Sequence, residues 1–139
     1  MKKIIFPGSF DPIHEGHIKL IEKAVEVFDE VIVVVTNNIN KDSSDITDRF
    51  GDVRELLQDF SRVSVIMNPD KLTHQLAREL EVNYLLRGIR NDTDFQYEYE
   101  LAKANKVMNN NLETIFFFAE DGDKEISSSL MREIEKYNQ

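Results

Sequence analysis

Two imidazoles three positions apart, His14 and His17, stand in the stretch Gly8-Ser9-Phe10-Asp11-Pro12-Ile13-His14-Glu15-Gly16-His17. On the first turn of a helix that spacing puts both rings on one face. There they can hydrogen-bond phosphate oxygens or bind a metal. The stretch follows the apolar run Ile4-Ile5-Phe6 and precedes an amphipathic run that starts at Ile18, so it marks a strand-to-helix junction. Such a junction offers free backbone N–H groups and the positive end of a helix dipole to an anion. Gly8 permits close approach of a ligand or a positive φ, and Pro12 stiffens the loop.

Other groups of the same chemistry lie further along. Arg87 and Arg90 flank Gly88. Arginine suits phosphate because its planar fork donates two parallel hydrogen bonds and keeps its charge. The alternative is a pair of surface arginines bridged to Asp92 or Asp94. Ser127-Ser128-Ser129 precedes an apolar helical pattern and can cap it or present hydroxyls and N–H groups to a phosphate. Lys41 is a basic residue in a polar loop, either solvated or reaching a bridging phosphate. Glu98 lies in an acidic-aromatic run where one carboxylate could meet a ribose or base. His74 reads as an exposed or partly packed histidine without a catalytic role.

The elements that must position these groups alternate regularly. Strands are predicted at Lys3 to Phe6, Val31 to Val35, Val63 to Met67, Tyr84 to Leu86 and Thr114 to Phe118. The β-branched run from Val31 has the composition of a strand buried on both faces. Between the strands run apolar residues at helical spacing. The first set is Ile18, Ile21, Val25 and Phe28, in a helix from about Gly16 to Phe28. The second is Ile46, Phe50, Val53, Leu57 and Phe60, and the third Leu72, Leu76 and Leu80. A fourth helix begins at Asp92 or Thr93, where Thr93-x-x-Gln96 fits a capping box, and continues to about Met108. A last helix ends near Tyr137. Five βα units in one domain, residues 1–139, imply a doubly wound parallel sheet with right-handed crossovers. Ligands of such sheets bind at the carboxyl ends of the strands, where strand order reverses. Gly8 to His17, Asn37 to Lys41, Arg87 to Arg90 and Glu120 to Ser129 all fall there.

Composition narrows the class. With 41% hydrophobic and 31% charged residues the chain reads as a soluble globular protein. A net charge of −9 argues against a general nucleic-acid binder, though a few cations in one cleft can still dominate locally. There is no cysteine, which excludes disulfides, thiolate chemistry and Cys-ligated zinc. No signal peptide or membrane span is evident, and a cytoplasmic location is expected.

His14-Glu15-Gly16-His17 after Gly8-Ser9-Phe10-Asp11-Pro12 resembles the HxGH signature of the nucleotidyltransferase superfamily. The later motifs, Arg87-Gly88-Ile89-Arg90, Asp94-Phe95-Gln96-Tyr97-Glu98, Asn105 and Ile126-Ser127-Ser128-Ser129-Leu130, resemble those of the phosphopantetheine adenylyltransferases, in order and at close spacing. The resemblance runs from Lys3 to about Tyr137. It implies a single-domain Rossmann-like nucleotidyltransferase fold and transfer of an adenylyl group from ATP to 4′-phosphopantetheine, with magnesium carried on the ATP phosphates. The products would be dephospho-coenzyme A and pyrophosphate.

The resemblance also implies roles by position. Ser9 and Phe10 would meet ATP, and Ser9 the acceptor phosphate as well. His17 would hold the ATP phosphates and stabilise the transition state. Lys41 would bridge acceptor and triphosphate, with Arg90 as a further catalytic cation. Leu72 and Thr73 would line the pantetheine arm, and Arg87 would bind the acceptor phosphate. Gly88, Ile89, Arg90 and Glu98 would contact ATP, as would Asp123, Lys124, Glu125, Ile126, Ser127, Ser128 and Ser129. The acceptor phosphate is already an anionic nucleophile, so the chemistry requires alignment and charge neutralisation rather than a general base. The resemblance further implies a homo-oligomer, on the family's pattern a hexamer.

Three departures stand out. His14 occupies a position where the family more often has threonine or asparagine, and histidine there is more typical of the wider superfamily. The residues before Ile126 are acidic, Asp121-Gly122-Asp123-Lys124-Glu125, where an aromatic is usual. The chain also ends soon after its last helical pattern, without the family's C-terminal extension. The alternatives are a nicotinamide mononucleotide adenylyltransferase or another small-molecule nucleotidyltransferase, such as a cytidylyltransferase acting on an alcohol phosphate, and a nucleotide-binding module without activity.

Overall fold

The computed structural model describes residues 1–37, 45–90, 92–119 and 127–138. Five strands and five helices alternate: β1 (Lys3–Gly8), α1 (Glu15–Val27), β2 (Glu30–Thr36), α2 (Ile46–Leu56), β3 (Val63–Asn68), α3 (Thr73–Leu80), β4 (Tyr84–Ile89), α4 (Asp92–Met108), β5 (Glu113–Phe118) and α5 (Ser128–Tyr137). All strand pairings are parallel, in the order β3-β2-β1-β4-β5. The chain therefore winds outward to one edge through β3, returns, and builds the other half through β4 and β5. The reversal falls between β1 and β4, the position at which doubly wound sheets leave a crevice.

Period-two alternation divides the core into two layers. Ile4, Phe6, Val31, Val33, Val35 and Leu86 pack on Leu20, Ile21 and Ala24 of α1 and Val53 of α2. Ile5, Ile32, Val34 and Leu85 face the opposite way, onto Leu76 and Ala77 of α3 and onto Leu112. Val31 to Val35 are all buried, which explains a β2 sequence without a polar face. Removing each such side chain from water contributes about 1.5–3 kcal/mol before entropy is counted. No helix among the described residues is long and apolar enough to cross a membrane.

Several boundaries differ from the sequence reading for local reasons. α2 ends at Leu56, although the apolar spacing runs on; Leu57 and Phe60 reach the first core layer from the turn after the helix. β1 extends through Gly8, which pairs with Val35. Arg87, Gly88 and Ile89 lie inside β4 rather than after it, opposite Phe116, Phe117 and Phe118. Strand parity thereby puts Arg87 on the Leu85 side of the sheet. The capping box at Thr93 involves a side chain outside the described residues.

The halves of the sheet are joined unequally. β1 pairs with β2 at six successive positions, and β4 with β5 at six. The ladder between β1 and β4 is confined to Ile5 opposite Leu85. Pro7, which has no N–H to give to a ladder, stands two residues further on.

Candidate active site

The crevice where β1 and β4 part holds a cavity of about 670 Å³, lined among others by Ser9, His14, His17, Arg87, Arg90 and Glu98. That size suits a small-molecule ligand. It is built from the end of β1, the first turn of α1, the end of β4 and one side of α4.

The first turn of α1 is closed by the histidines themselves. His14 is the N-cap, with extended backbone (φ −133, ψ 178). Its Nδ1 accepts the Gly16 N–H at 3.1 Å, and the His14 N–H donates in return to Nδ1 of His17, also at 3.1 Å. The rings stack with centroids 3.8 Å apart and planes 28° from parallel. An Nδ1 that accepts a backbone N–H carries no proton, so each neutral ring holds its hydrogen on Nε2. Two Nε2–H donors therefore issue from one helix turn whose dipole already favours an anion. Gly16 makes this possible: a Cβ there would lie 2.9 Å from Cε1 of His14.

Burial, the charge of His14 and the charge of Arg90 together push the His17 pKa down to about 4. Protonation would also place a hydrogen on the Nδ1 that accepts from His14. His17 is thus a neutral donor at physiological pH.

Phe10 takes φ 48, a left-handed conformation unusual for an aromatic residue, at a cost on the order of 1–3 kcal/mol. Its ring is buried and meets Phe6 and His17 edge-on, with centroids 5.5 Å and 4.9 Å away. Gly8 gives this ring its space, since a Cβ on Gly8 would sit 3.0 Å from Cζ of Phe10. The glycine accommodates a neighbouring side chain, and its own backbone has no positive φ.

Across the cavity, Arg87 donates from Nε and Nη2 to the two carboxylate oxygens of Glu98 at 2.8 and 2.7 Å. Glu98 is 4% exposed. Burial works to lower the Arg87 pKa, but the hydrogen bonds and charge of Glu98 outweigh it, and the guanidinium is held above its ordinary range. Glu98 was expected to touch ATP; here it borders the cavity while fixing the arginine. Gly88 has no room for a side chain, because a Cβ would meet Cδ1 of Leu20 at 2.8 Å and Cβ of Ala119 at 3.2 Å. Ile89 is half-buried, and its carbonyl accepts from the Ala119 N–H at 2.9 Å. Arg90 is exposed; its N–H donates to Asp94 at 3.1 Å and its guanidinium lies 3.9 Å from the same carboxylate. The bridge to Asp94 weighed as an alternative for this arginine is present, in an arginine that also lines the cavity.

The remaining expected site residues that fall among the described ones do not line the cavity. Leu72 and Thr73 sit at the start of α3, with Leu72 exposed. Ser127, Ser128 and Ser129 are exposed at the start of α5, where the Ser127 hydroxyl accepts the Leu130 N–H at 3.3 Å. Lys41 and Asp123, Lys124, Glu125 and Ile126 lie outside the described residues. Sequence reasoning missed Arg49, which is 2% exposed. One Nη1 donates to the carbonyls of Ser9 and Thr36 at 2.6 and 2.7 Å, and Nη2 donates to Oδ1 of Asn37 at 2.9 Å. The signal was available: position 49 falls on the same helical stripe as Ile46 and Val53, where a charge needs a reason.

A family model described as cytidylyltransferase-like matches residues 5–134. A phosphopantetheine adenylyltransferase of Mycoplasma mycoides is 41% identical over 138 residues, covering 99% of each chain. The chain belongs to this family. Another phosphopantetheine adenylyltransferase, from Mycoplasma capricolum, is 40% identical with the same coverage. One from Wigglesworthia glossinidia brevipalpis is 39% identical over 96% of this chain and 79% of its own. Among solved structures, a lipopolysaccharide core biosynthesis protein from Thermoplasma volcanium superposes with a TM-score of 0.62. It covers 87% of this chain and 99% of its own at 23% identity. That likeness shows the fold.

Proposed function

We propose that the protein transfers the adenylyl group of ATP to 4′-phosphopantetheine, forming dephospho-coenzyme A and releasing pyrophosphate. One observation carries the reading: two imidazole Nε2–H donors on a helix N-terminus and two guanidinium groups border one cavity, in a chain whose relatives bear that name. An oxygen of the acceptor phosphate attacks the α-phosphorus of ATP. A new P–O bond forms as the bond to the β-phosphate bridging oxygen breaks, and pyrophosphate departs with the electron pair.

No proton must be removed from the nucleophile. The protein's work is to bring two anions together and to stabilise the negative charge that builds on the α-phosphoryl and leaving oxygens. His17 donates its Nε2–H there, and being neutral it does so without a protonation step. Arg87, oriented by Glu98, receives the acceptor phosphate. Arg90 serves the triphosphate, with Lys41 as a further cation between the two substrates. Ser9, Phe10 and Gly88 supply the nearby walls, with Ile89 beside them, and residues 123–129 contact the nucleotide. Leu72 and Thr73 take the pantetheine arm.

Magnesium fits as a companion of the nucleotide and supplies charge neutralisation on its phosphates. Among the described residues no three metal-ligating side chains cluster. The imidazole and guanidinium donors suit phosphate oxygens rather than a bare cation. The working protein is a cytoplasmic homo-oligomer, with the family's hexamer as its form.

The test is pyrophosphate release from ATP and magnesium with 4′-phosphopantetheine, compared with nicotinamide mononucleotide. Release with phosphopantetheine alone is expected. Release with nicotinamide mononucleotide alone would replace the acceptor. Silence with both, in folded protein that binds ATP, would make this a binding module.

A further inference from the structure

Arg49 lies on α2, away from the cavity lining, yet it holds the end of β1. The β1–β2 ladder stops at Gly8 opposite Val35. At the next position along each strand, Ser9 and Thr36 offer carbonyls that are both taken by the same Nη1 of Arg49. The guanidinium prolongs the ladder by one step, and its other arm fastens the side chain of Asn37. Ser9 immediately precedes Phe10, the residue held at φ 48. The Phe10 ring in turn buttresses His17 edge-on at 4.9 Å. A rare backbone conformation persists where its surroundings over-determine it. Here those surroundings are the Arg49 bonds on one side and the Phe6 and His17 rings on the other.

We infer that Arg49 is a positioning residue for adenylyl transfer: it pins the Ser9 carbonyl to the end of β2 and thereby sets the Phe10 ring against His17. The inference rests on the reaction assigned above. Arg49 meets the reaction through Ser9 and Phe10, so its loss misaligns groups that must act together. Misplacement by about an ångström is worth on the order of a hundredfold in rate. Ground-state nucleotide binding, spread over many contacts, changes far less.

The full-length Arg49→Lys variant keeps the charge but cannot fork to all three acceptors. Its kcat for pyrophosphate release should fall about 10- to 100-fold, with the KM for ATP within about threefold of the parent. Amide hydrogen exchange across residues 8–17 should accelerate at least about tenfold. Val53→Ala, a cavity in the core beneath the same helix, should lower Tm while leaving kcat and the 8–17 exchange near the parent values. Asn37→Ala removes one acceptor without touching the charge, and should give a several-fold loss of kcat even if the lysine variant fails to fold. The inference is overturned if the folded variants keep kcat within about twofold, or if their exchange at 8–17 rises no more than in Val53→Ala. Should the parent release no pyrophosphate, the assigned reaction fails and the exchange comparison alone decides whether Arg49 holds the loop.

Discussion

His14 and His17 lie face to face, ring centroids 3.8 Å apart, and Nδ1 of each is occupied by a backbone N–H of the turn they share. The bonds that start α1 are therefore the bonds that choose the tautomer. Helix capping usually falls to Ser, Thr, Asp or Asn. An imidazole in that position leaves a second nitrogen over, aimed away from the helix it caps.

This separates two functions of one side chain. In His17→Asn, the amide oxygen can replace Nδ1 as the acceptor for the His14 N–H, while the Nε2–H donor is lost. The variant should keep its Tm within a few degrees and lose about 10²- to 10³-fold in kcat, the usual effect of removing a transition-state donor. The KM for ATP should change little. Steady-state pyrophosphate release alongside thermal melts checks both halves; an unaltered kcat would remove His17 from the chemistry.

The depressed His17 pKa has a defined sign. In the folded chain it is about 4, against 6.5 for an ordinary solvent-exposed histidine. Between those values the unfolded chain binds more protons, so stability rises with pH across that window. The contribution is complete above about pH 6.5 and is lost as pH falls toward 4. Melting curves from pH 4 to 7 should slope less in His17→Asn than in the parent. Nitrogen-15 spectra of the parent should show His17 protonated on Nε2 alone at pH 7, with no titration until below about pH 5.

Arg87 and Glu98 form the other arranged pair. Glu98→Gln keeps the shape but removes the charge and one of the two acceptors facing a partly buried guanidinium. Hydrogen bonds to charged groups contribute about 1.5–3 kcal/mol each, so a stability loss near that range is expected. Arg87 should also lose its fixed orientation. The KM for phosphopantetheine should then rise about tenfold, more than the KM for ATP. Equal rises would place Glu98 with the nucleotide instead.

Gly51 offers a contrast to the glycines of the site. It sits mid-helix in α2, is exposed, and a Cβ there would meet nothing within 4 Å. Gly51→Ala should therefore stabilise the chain by about 0.5–1 kcal/mol, read in denaturant melts, with no change in turnover. Gly88→Ala should do the opposite by pressing on Leu20 and Ala119, at about 1–3 kcal/mol.

The alternation of strands and helices was legible because β2 is apolar from Val31 to Val35 and α1 keeps a clean helical stripe. The cavity's location followed from topology alone, and the imidazole pair after β1 and Arg87 near the end of β4 could be placed in it from their positions at the carboxyl edge of the sheet. Other features depend on contacts distant in sequence. Arg49 and Ser9 are 40 residues apart, and no local pattern reveals that a carbonyl waits for that guanidinium. Glu98 could be marked as interesting, but its partner could not be chosen among several nearby cations. Gly8 lines the cavity, where a ligand can approach its backbone, but only the structure shows that the space a Cβ would fill is taken by Phe10, two residues on. Arg87 was placed after its strand because β-propensity fades at arginine and glycine, although pairing with Phe116 and Phe117 carries β4 onward.

Across the seam between β1 and β4 the two halves of the sheet are joined mainly by side-chain packing, with α1 spanning both halves, rather than by a continuous ladder. Under the proposed function, a substrate held by His17 on one side and Arg87 on the other would be a clasp across that line. Ligand bound at a hundredfold excess over its Kd adds about 2.7 kcal/mol to the folded state. On that reading the reinforcement falls across the seam with the shortest ladder.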